Sequence, residues 1–265
     1  MTVYLTQIKS LMMTAVLSVL LLPFSLFTNP ETTVAGSTED IEEGEGRILV
    51  FSKTTGWRHE SIEPGKEALR KMANENGFDI TVTEDASYFT EDNLQQYDAV
   101  VFLNTTETIF NDKQRRAFES YIQSGGGFAG IHSAADTEYN WPWYNRLVGA
   151  YFLNHPNNPN VREAVIDVQV KDHISTEMLP DRWERADEWY NFKSRNESVH
   201  VLMWLDTDSY EGSEHPGSHP IAWYHEYDGG RAFYTGLGHT SESFTEDELF
   251  LKHLWGGIRY AMGED

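Results

Sequence analysis

A histidine occupies a position in this chain where an α/β protein places a reactive side chain. The segment "GGGFAGIHSA" (125–134) has three glycines, a short apolar run and then His132. Glycines permit close backbone approach and positive φ angles, and a sharp turn after a strand presents its residue at the mouth of the sheet. An imidazole titrates near neutral pH, so His132 is predicted to perform acid–base chemistry or to bind a ligand.

Three further polar positions follow predicted strands in the same way. His59 lies in "KTTGWRHES", Asn104 ends the run "DAVVFLN", and His239 lies in "GLGHTSESF". In an open α/β sheet, ligands bind beyond the carboxyl ends of the parallel strands. If these strands are parallel, the side chains share one edge of the sheet and line a common pocket.

Other side chains are candidates for the same edge. Asp136 and His155 come soon after His132 and are expected to reach it, although a structural role for each is equally open. Glu188 stands among aromatic residues in "ADEWYNF", where burial would raise the pKa of its carboxyl. A salt bridge at the margin of the core is the structural alternative for Glu188.

Several other chemistries are not supported by the sequence. The chain has no cysteine, and its glycine run lacks the Lys and Ser/Thr of a phosphate-binding loop, so neither a thiol nucleophile nor a nucleotide role is expected. His215, His219 and His225 lack the spacing of a closed zinc ligand set and are interpreted as scattered loop histidines. No metal ligands or cofactor are assigned, and a divalent metal remains an alternative because Asp and Glu are plentiful.

The elements that must position these residues follow from the hydrophobic pattern. Short apolar runs alternate with segments of helical spacing, which predicts a parallel sheet with helices on both faces and further strands in the C-terminal half. Strands are predicted at 47–52, 78–83, 98–104, 127–131, 162–170, 200–205, 220–227 and 231–237, and helices from Ser61 to Gly77, from Asn111 to Ser124, and from about Glu246.

Charge and the N-terminus limit the setting of the protein. The 265 residues carry a formal net charge of −22 with no basic stripe, which argues against a nucleic-acid partner. Lys9 and the apolar run after it predict a signal peptide over 1–35, followed by an acidic linker (36–46) and one domain (47–265). A periplasmic or secreted protein without a stable membrane span is expected. An uncleaved anchor is the alternative, and the oligomeric state is left open.

Five segments in order resemble a known family. They are "KTTGWRHESI", "GGGFAGIHSAADT", "WPWYNRLVGAYFLNHP", "DEWYNF" and "HPIAWYHEYDGGRAFYTGLGH". Together they are similar to the trehalose-utilisation (ThuA-like) family, whose fold is that of class I glutamine amidotransferases, with a flavodoxin-like sheet. The resemblance implies sugar metabolism and assigns His59, His132, His155 and His239 to the family's motif histidines. Because His132 replaces the amidotransferase cysteine, amidotransfer is not expected.

The resulting hypothesis is an enzyme that processes a sugar or keto-sugar glycoside by elimination, isomerisation or cleavage. His132 would be the base and His239 the acid in removing a proton next to a carbonyl. His59 and Glu188 would position hydroxyl groups. Aromatic side chains would stack on the sugar ring, and the candidates are Trp57, Trp141 and Trp143. A non-catalytic carbohydrate-binding or sensing domain and a metal-dependent hydrolase are the alternatives.

Overall fold

The structure is a computed structural model that describes residues 46–265. The predicted signal peptide and all but Gly46 of the predicted linker lie outside the described residues. Within 46–265, no helix combines the length and the apolar character needed to cross a membrane. The described chain contains a nine-stranded sheet and a separate pair of antiparallel strands.

Five strands of the large sheet run parallel, in the order β2-β1-β3-β4-β11. The apolar runs 48–51, 99–103 and 127–131 are buried, as expected for strands covered by helices on a parallel sheet. These five strands are β1 (Arg47–Phe51), β2 (Asp79–Thr83), β3 (Ala99–Leu103), β4 (Gly127–Ile131) and β11 (Gly230–Thr235).

The other four strands extend the sheet in antiparallel fashion beyond β11, in the order β10-β9-β6-β7. The sequence pattern predicted three of them but not the strand that ends in Glu188. They are β6 (Val161–Val168), β7 (Arg182–Glu188), β9 (His200–Leu205) and β10 (His219–Tyr227). The separate pair, also not predicted, consists of β5 (Tyr151–Asn154) and β8 (Asn191–Lys193).

Between residues 46 and 265, six α-helices connect or flank these strands. The helix over 112–123 is capped by Asn111, whose side chain accepts from two backbone N–H groups while the Gln114 side chain accepts from the Asn111 N–H. The last helix begins two residues after its predicted start. The helices are α1 (Ile62–Glu75), α2 (Glu91–Leu94), α3 (Asp112–Gln123), α4 (Pro142–Val148), α5 (Ser241–Thr245) and α6 (Glu248–Ala261).

Close packing between α6 and the sheet depends on one glycine. A Cβ on Gly257 would lie 2.2 Å from the Phe233 ring of β11, so no larger residue fits there without displacing the ring. This contact holds α6 against the centre of the sheet, where β11 lies between the parallel and antiparallel halves.

The first prediction concerns acid stability and His219. Burial lowers the pKa of His219 from 6.5 to about 4, and its Nε2 donates to the Tyr190 carbonyl at 2.8 Å. The unfolded chain takes up a proton at the ordinary pKa, but the folded chain does not. The free energy of unfolding therefore falls as pH drops from about 6.5 to about 4, by up to about 1.4 kcal/mol per pH unit for this residue.

Denaturant unfolding at several pH values measures this contribution. His219→Asn should reduce the slope of unfolding free energy against pH between about 4 and 6.5. His200→Asn, at an exposed histidine, should keep the wild-type slope. Equal slopes for wild type and His219→Asn would contradict the prediction.

Candidate functional site

His132 lies directly after β4 on a strained turn. Its φ is +46°, in the left-handed region that non-glycine residues rarely adopt. Asn104, directly after β3, has the same feature with φ of +50°. Two adjacent parallel strands thus end in polar residues with positive φ at one edge of the sheet, and backbone strain of this kind tends to occur at functional sites.

The loops after β1 and β11 bring two more imidazoles to His132. The ring centroids of His59 and His132 lie 5.0 Å apart, and those of His59 and His239 lie 5.2 Å apart. The His132–His239 centroid distance is 5.2 Å. The structure therefore brings these three histidines together, as predicted from their positions after parallel strands.

Glu188, at the end of β7, lies against two of these rings. Its Oε2 is 3.3 Å from His132 Nε2 and 3.2 Å from His239 Nδ1. The two nitrogens are themselves 3.3 Å apart. We call His59, His132, Glu188 and His239 the histidine–glutamate cluster; His132 is fully buried, and 19% of the His239 side chain is exposed.

Asp187 fixes the backbone on both sides of the cluster. Its carboxylate accepts from the N–H groups of Gly238 at 2.9 Å and His239 at 3.1 Å, and from that of Glu188 at 2.9 Å. Arg185 donates to the same carboxylate at 2.9 Å. Asp187 is fully buried. Its hydrogen bonds link the end of β7 to the loop after β11.

Asn104 acts as a second link below the cluster. Its amide Nδ2 donates to the Ser61 hydroxyl at 2.9 Å and to the Gly238 carbonyl at 3.1 Å. The Ser61 hydroxyl also donates to the Gly238 carbonyl and forms no capping hydrogen bond with α1. Asn104 is fully buried. It joins the loops that carry His59 and His239 and does not face the open side of the site.

The electrostatics of the cluster favour an ionised glutamate. Burial would raise the pKa of Glu188, but hydrogen bonds from His132 and His239 outweigh burial and hold its pKa well below the ordinary value. Burial would lower the pKa of His239, and the bond to Glu188 raises it instead. Burial, together with the neighbouring imidazoles, lowers the pKa of His59 to about 2, so His59 is neutral.

The open side of the cluster is formed by less buried groups. His155 Nε2 lies 3.5 Å from Glu188 Oε1, and 25% of its side chain is exposed. Asn160 donates to the same Oε1 at 2.7 Å. Asp136 is half-buried and accepts a hydrogen bond from Tyr139, and burial raises the pKa of its carboxyl. These side chains give the cluster a polar rim.

The three predicted stacking tryptophans lie in different places. Trp57 is 73% exposed and stands two residues before His59. Trp141 is buried and donates to Glu119. Trp143 donates to Asp228, which precedes β11 and so lies at the amino end of that strand, opposite the cluster. Trp141 and Trp143 pack near α3 and the β10–β11 turn, and the structure does not bring them to the cluster.

Some residues of the site were not predicted from the sequence. Asp187 and Asn160 hold Glu188, and the Tyr190 ring lies 4.1 Å from that of His132. The adjacent acidic pair in "ADEWYNF" was the available signal for Asp187. Nothing in the loop "NHPNNPN" distinguished Asn160 from its neighbours.

The three histidines that lack the spacing of a zinc site form hydrogen bonds with nearby groups. His215 Nε2 accepts from the Phe192 N–H. His219 bonds Tyr190 and Tyr210 through its two nitrogens, and His225 Nε2 donates to the Leu147 carbonyl at 2.9 Å. His215 lies in a loop as predicted, but His219 and His225 lie in β10 and not in loops.

The fold and the turn after β4 define an α/β protein of the flavodoxin-like type. The chain belongs to the ThuA family, described as trehalose utilisation, whose sequence profile matches residues 47–261. A search of curated proteins found no match.

Solved structures support the same assignment. A ThuA-like protein from Bacteroides uniformis is similar with a TM-score of 0.70 and 25% identity, over 84% of this chain and 94% of the other. One from Parabacteroides merdae gives 0.64 and 23%, over 82% and 90%. A cytoplasmic protein from Salmonella typhimurium shares the fold, with a TM-score of 0.54 and 12% identity over 81% and 98%.

The second prediction tests Asp187 as the anchor of the site. Asp187→Asn removes the charge that pairs with buried Arg185 and weakens three backbone hydrogen bonds. Buried Arg185 would keep only its longer ion pair with Asp247, at 3.3 Å. Breaking a buried ion pair costs about 3 kcal/mol or more, so the free energy of unfolding should fall by about that amount. Chemical denaturation measures this free energy.

Asp208→Asn, at an exposed turn, serves as the control and should change the free energy of unfolding by less than about 0.5 kcal/mol. An equally small loss for Asp187→Asn would rule out the anchoring role.

Proposed function

We propose that the chain is a carbohydrate-processing enzyme and that its reaction takes place at the histidine–glutamate cluster. The observation that carries the proposal is the convergence of three imidazoles and a carboxylate beyond the ends of parallel strands. Groups with perturbed pKa values that converge at this edge of an α/β sheet are typical of catalytic sites. The family's description, trehalose utilisation, supports a sugar as the substrate.

The reaction that suits these groups is proton removal next to the carbonyl of a keto-sugar glycoside. A base takes the proton, the electron pair moves toward the carbonyl oxygen, and a second group stabilises the charge that develops there. Elimination, isomerisation or cleavage can follow from this step. The 3.3 Å spacing of His132 Nε2 and His239 Nδ1 supports the predicted base and acid acting at one substrate.

Substrate entry is proposed on the side of the exposed groups. His155 and His239 are partly exposed there, and the Trp57 ring, two residues from His59, offers an apolar face for a sugar. Trp141 and Trp143 are not included in the proposed site.

The third prediction concerns turnover. His132→Ala should lower kcat on a keto-glycoside by about 10²- to 10⁴-fold, the usual contribution of a general acid or base. Ligand affinity should stay within a few fold, because rim groups remain. Product analysis on a panel of keto-glycosides and their parent disaccharides measures turnover, and calorimetry measures binding. In D₂O, the wild type should introduce deuterium at the carbon next to the carbonyl.

His200→Ala, at an exposed histidine, serves as the control and should keep wild-type turnover. Full turnover by His132→Ala would remove His132 from the mechanism. Sugar binding by the wild type without product from any member of the panel would favour the alternative, a non-catalytic carbohydrate-binding domain.

We also propose that the protein works in the periplasm or outside the cell. Support comes from the N-terminal sequence, in which Lys9 precedes an apolar run and a small-residue site near Ala35. The fourth prediction is that the full chain expressed in a bacterium is recovered outside the cytoplasm with a new N-terminus near Ala35. Fractionation and N-terminal sequencing measure this. Intact chain in the cytoplasm would refute it, and intact chain in the membrane would favour the uncleaved anchor.

A further inference from the structure

The donor atoms of the histidine–glutamate cluster are arranged around a common point. One ligand atom from each of His59, His132, Glu188 and His239 lies within 4.8 Å of the other three, and three of the four residues are buried. The four residues come from four separate segments of the chain. Their convergence therefore has to be maintained against the cost of burying polar atoms.

The spacing of the inner three atoms matches the face of a coordination shell. His132 Nε2, His239 Nδ1 and Glu188 Oε2 form a triangle with sides of 3.2 to 3.3 Å. Ligands about 2.1 Å from one ion, at tetrahedral or octahedral angles, lie about 3.0 to 3.4 Å from each other.

The hydrogen bonds outside the cluster select the ring form that binds metal. His132 Nδ1 lies 2.9 Å from the Gly236 carbonyl, which can only accept. Nδ1 therefore carries a proton, and Nε2, the nitrogen that faces Glu188 and His239, is the one placed to bind a metal ion. A backbone carbonyl on the distal nitrogen is a common second partner of a metal-bound histidine.

The remaining two ligands show the same pattern. Nδ1 of His59 contacts the Ser133 hydroxyl at 3.3 Å, which leaves Nε2 without a hydrogen bond to any described residue. Glu188 Oε1 accepts from Asn160 at 2.7 Å, while Oε2 alone faces His132 and His239. This arrangement is suited to a carboxylate that binds through one oxygen.

We propose that His59, His132, Glu188 and His239 bind one divalent transition-metal ion. Three imidazole nitrogens and one carboxylate oxygen suit Zn²⁺ or Fe²⁺ better than Mg²⁺ or Ca²⁺, which prefer oxygen ligands. A substrate oxygen can complete the shell from the side on which His239 and His155 are partly exposed.

The ion would take part in the proposed reaction, so its catalytic role rests on the proposed function. It would hold the substrate carbonyl oxygen and stabilise the negative charge that develops there. His132 and His239 would then be ligands, in contrast to the predicted base and acid. The proton would pass to His155, whose Nδ1 lies 2.9 Å from the Pro156 carbonyl and whose Nε2 faces the cluster, 3.5 Å from Glu188 Oε1.

The fifth prediction is metal binding by the purified full chain. After dialysis against chelator and then buffer, titration with ZnCl₂ should show one ion per chain by calorimetry and by elemental analysis. His132→Ala and Glu188→Gln should each weaken the affinity by about 100-fold or more. The surface variant His200→Ala should bind within a few fold of wild type. Zn²⁺ should also raise the Tm of the wild type but not that of His132→Ala.

The outcomes separate this inference from the proposed function. No stoichiometric Zn²⁺ or Fe²⁺ on the wild type, or wild-type affinity in both folded ligand variants, would overturn the metal site. Turnover of a keto-glycoside by metal-free protein would leave the proposed function standing and overturn the ion's role in it. One bound ion with no product from any glycoside would support the site and overturn the proposed function.

Discussion

The buried carboxylate of Asp187 is the interaction on which the site depends. It accepts from the backbone N–H groups of Glu188, Gly238 and His239 and pairs with Arg185. β7 is the last strand at one edge of the sheet, yet this network ties its end to the loop after β11. Without it, the position of the Glu188 carboxylate would depend on Asn160 and on the imidazoles supplied by the parallel half.

Backbone strain contributes to the same arrangement. Positive φ angles at His132 and Asn104 each cost on the order of 1 kcal/mol or more. The turn at His132 directs its side chain into the cluster, and the turn at Asn104 directs its side chain beneath the cluster. There Asn104 joins two loops through hydrogen bonds to Ser61 and Gly238. These loops carry His59 and His239. Surrounding hydrogen bonds and packing offset that cost, so the geometry of the cluster is set before any ligand arrives.

The sequence predicted the parallel half of the fold because β1, β3 and β4 are continuous apolar runs. It did not predict β7, "RWERADE", because this segment is rich in charged residues. A charged residue in a strand is buried only when it has a partner, as Asp187 has in Arg185. The hydrophobic pattern of a sequence does not show such partners. The meeting of His59, His132 and His239 followed from topology alone. The positions of Trp141 and Trp143 did not, because aromatic residues in a glycine-containing segment suit a binding surface and a packed core equally well.

The order of strands has a consequence for biosynthesis. β11 lies between β4 and β10, although it is the last strand to be made. Until the ribosome has released it, both of those neighbours present an unpaired edge, and such edges invite pairing with other chains. The nascent polypeptide is thus most vulnerable to self-association just before completion, and a truncation upstream of Gly230 would leave that vulnerability permanent.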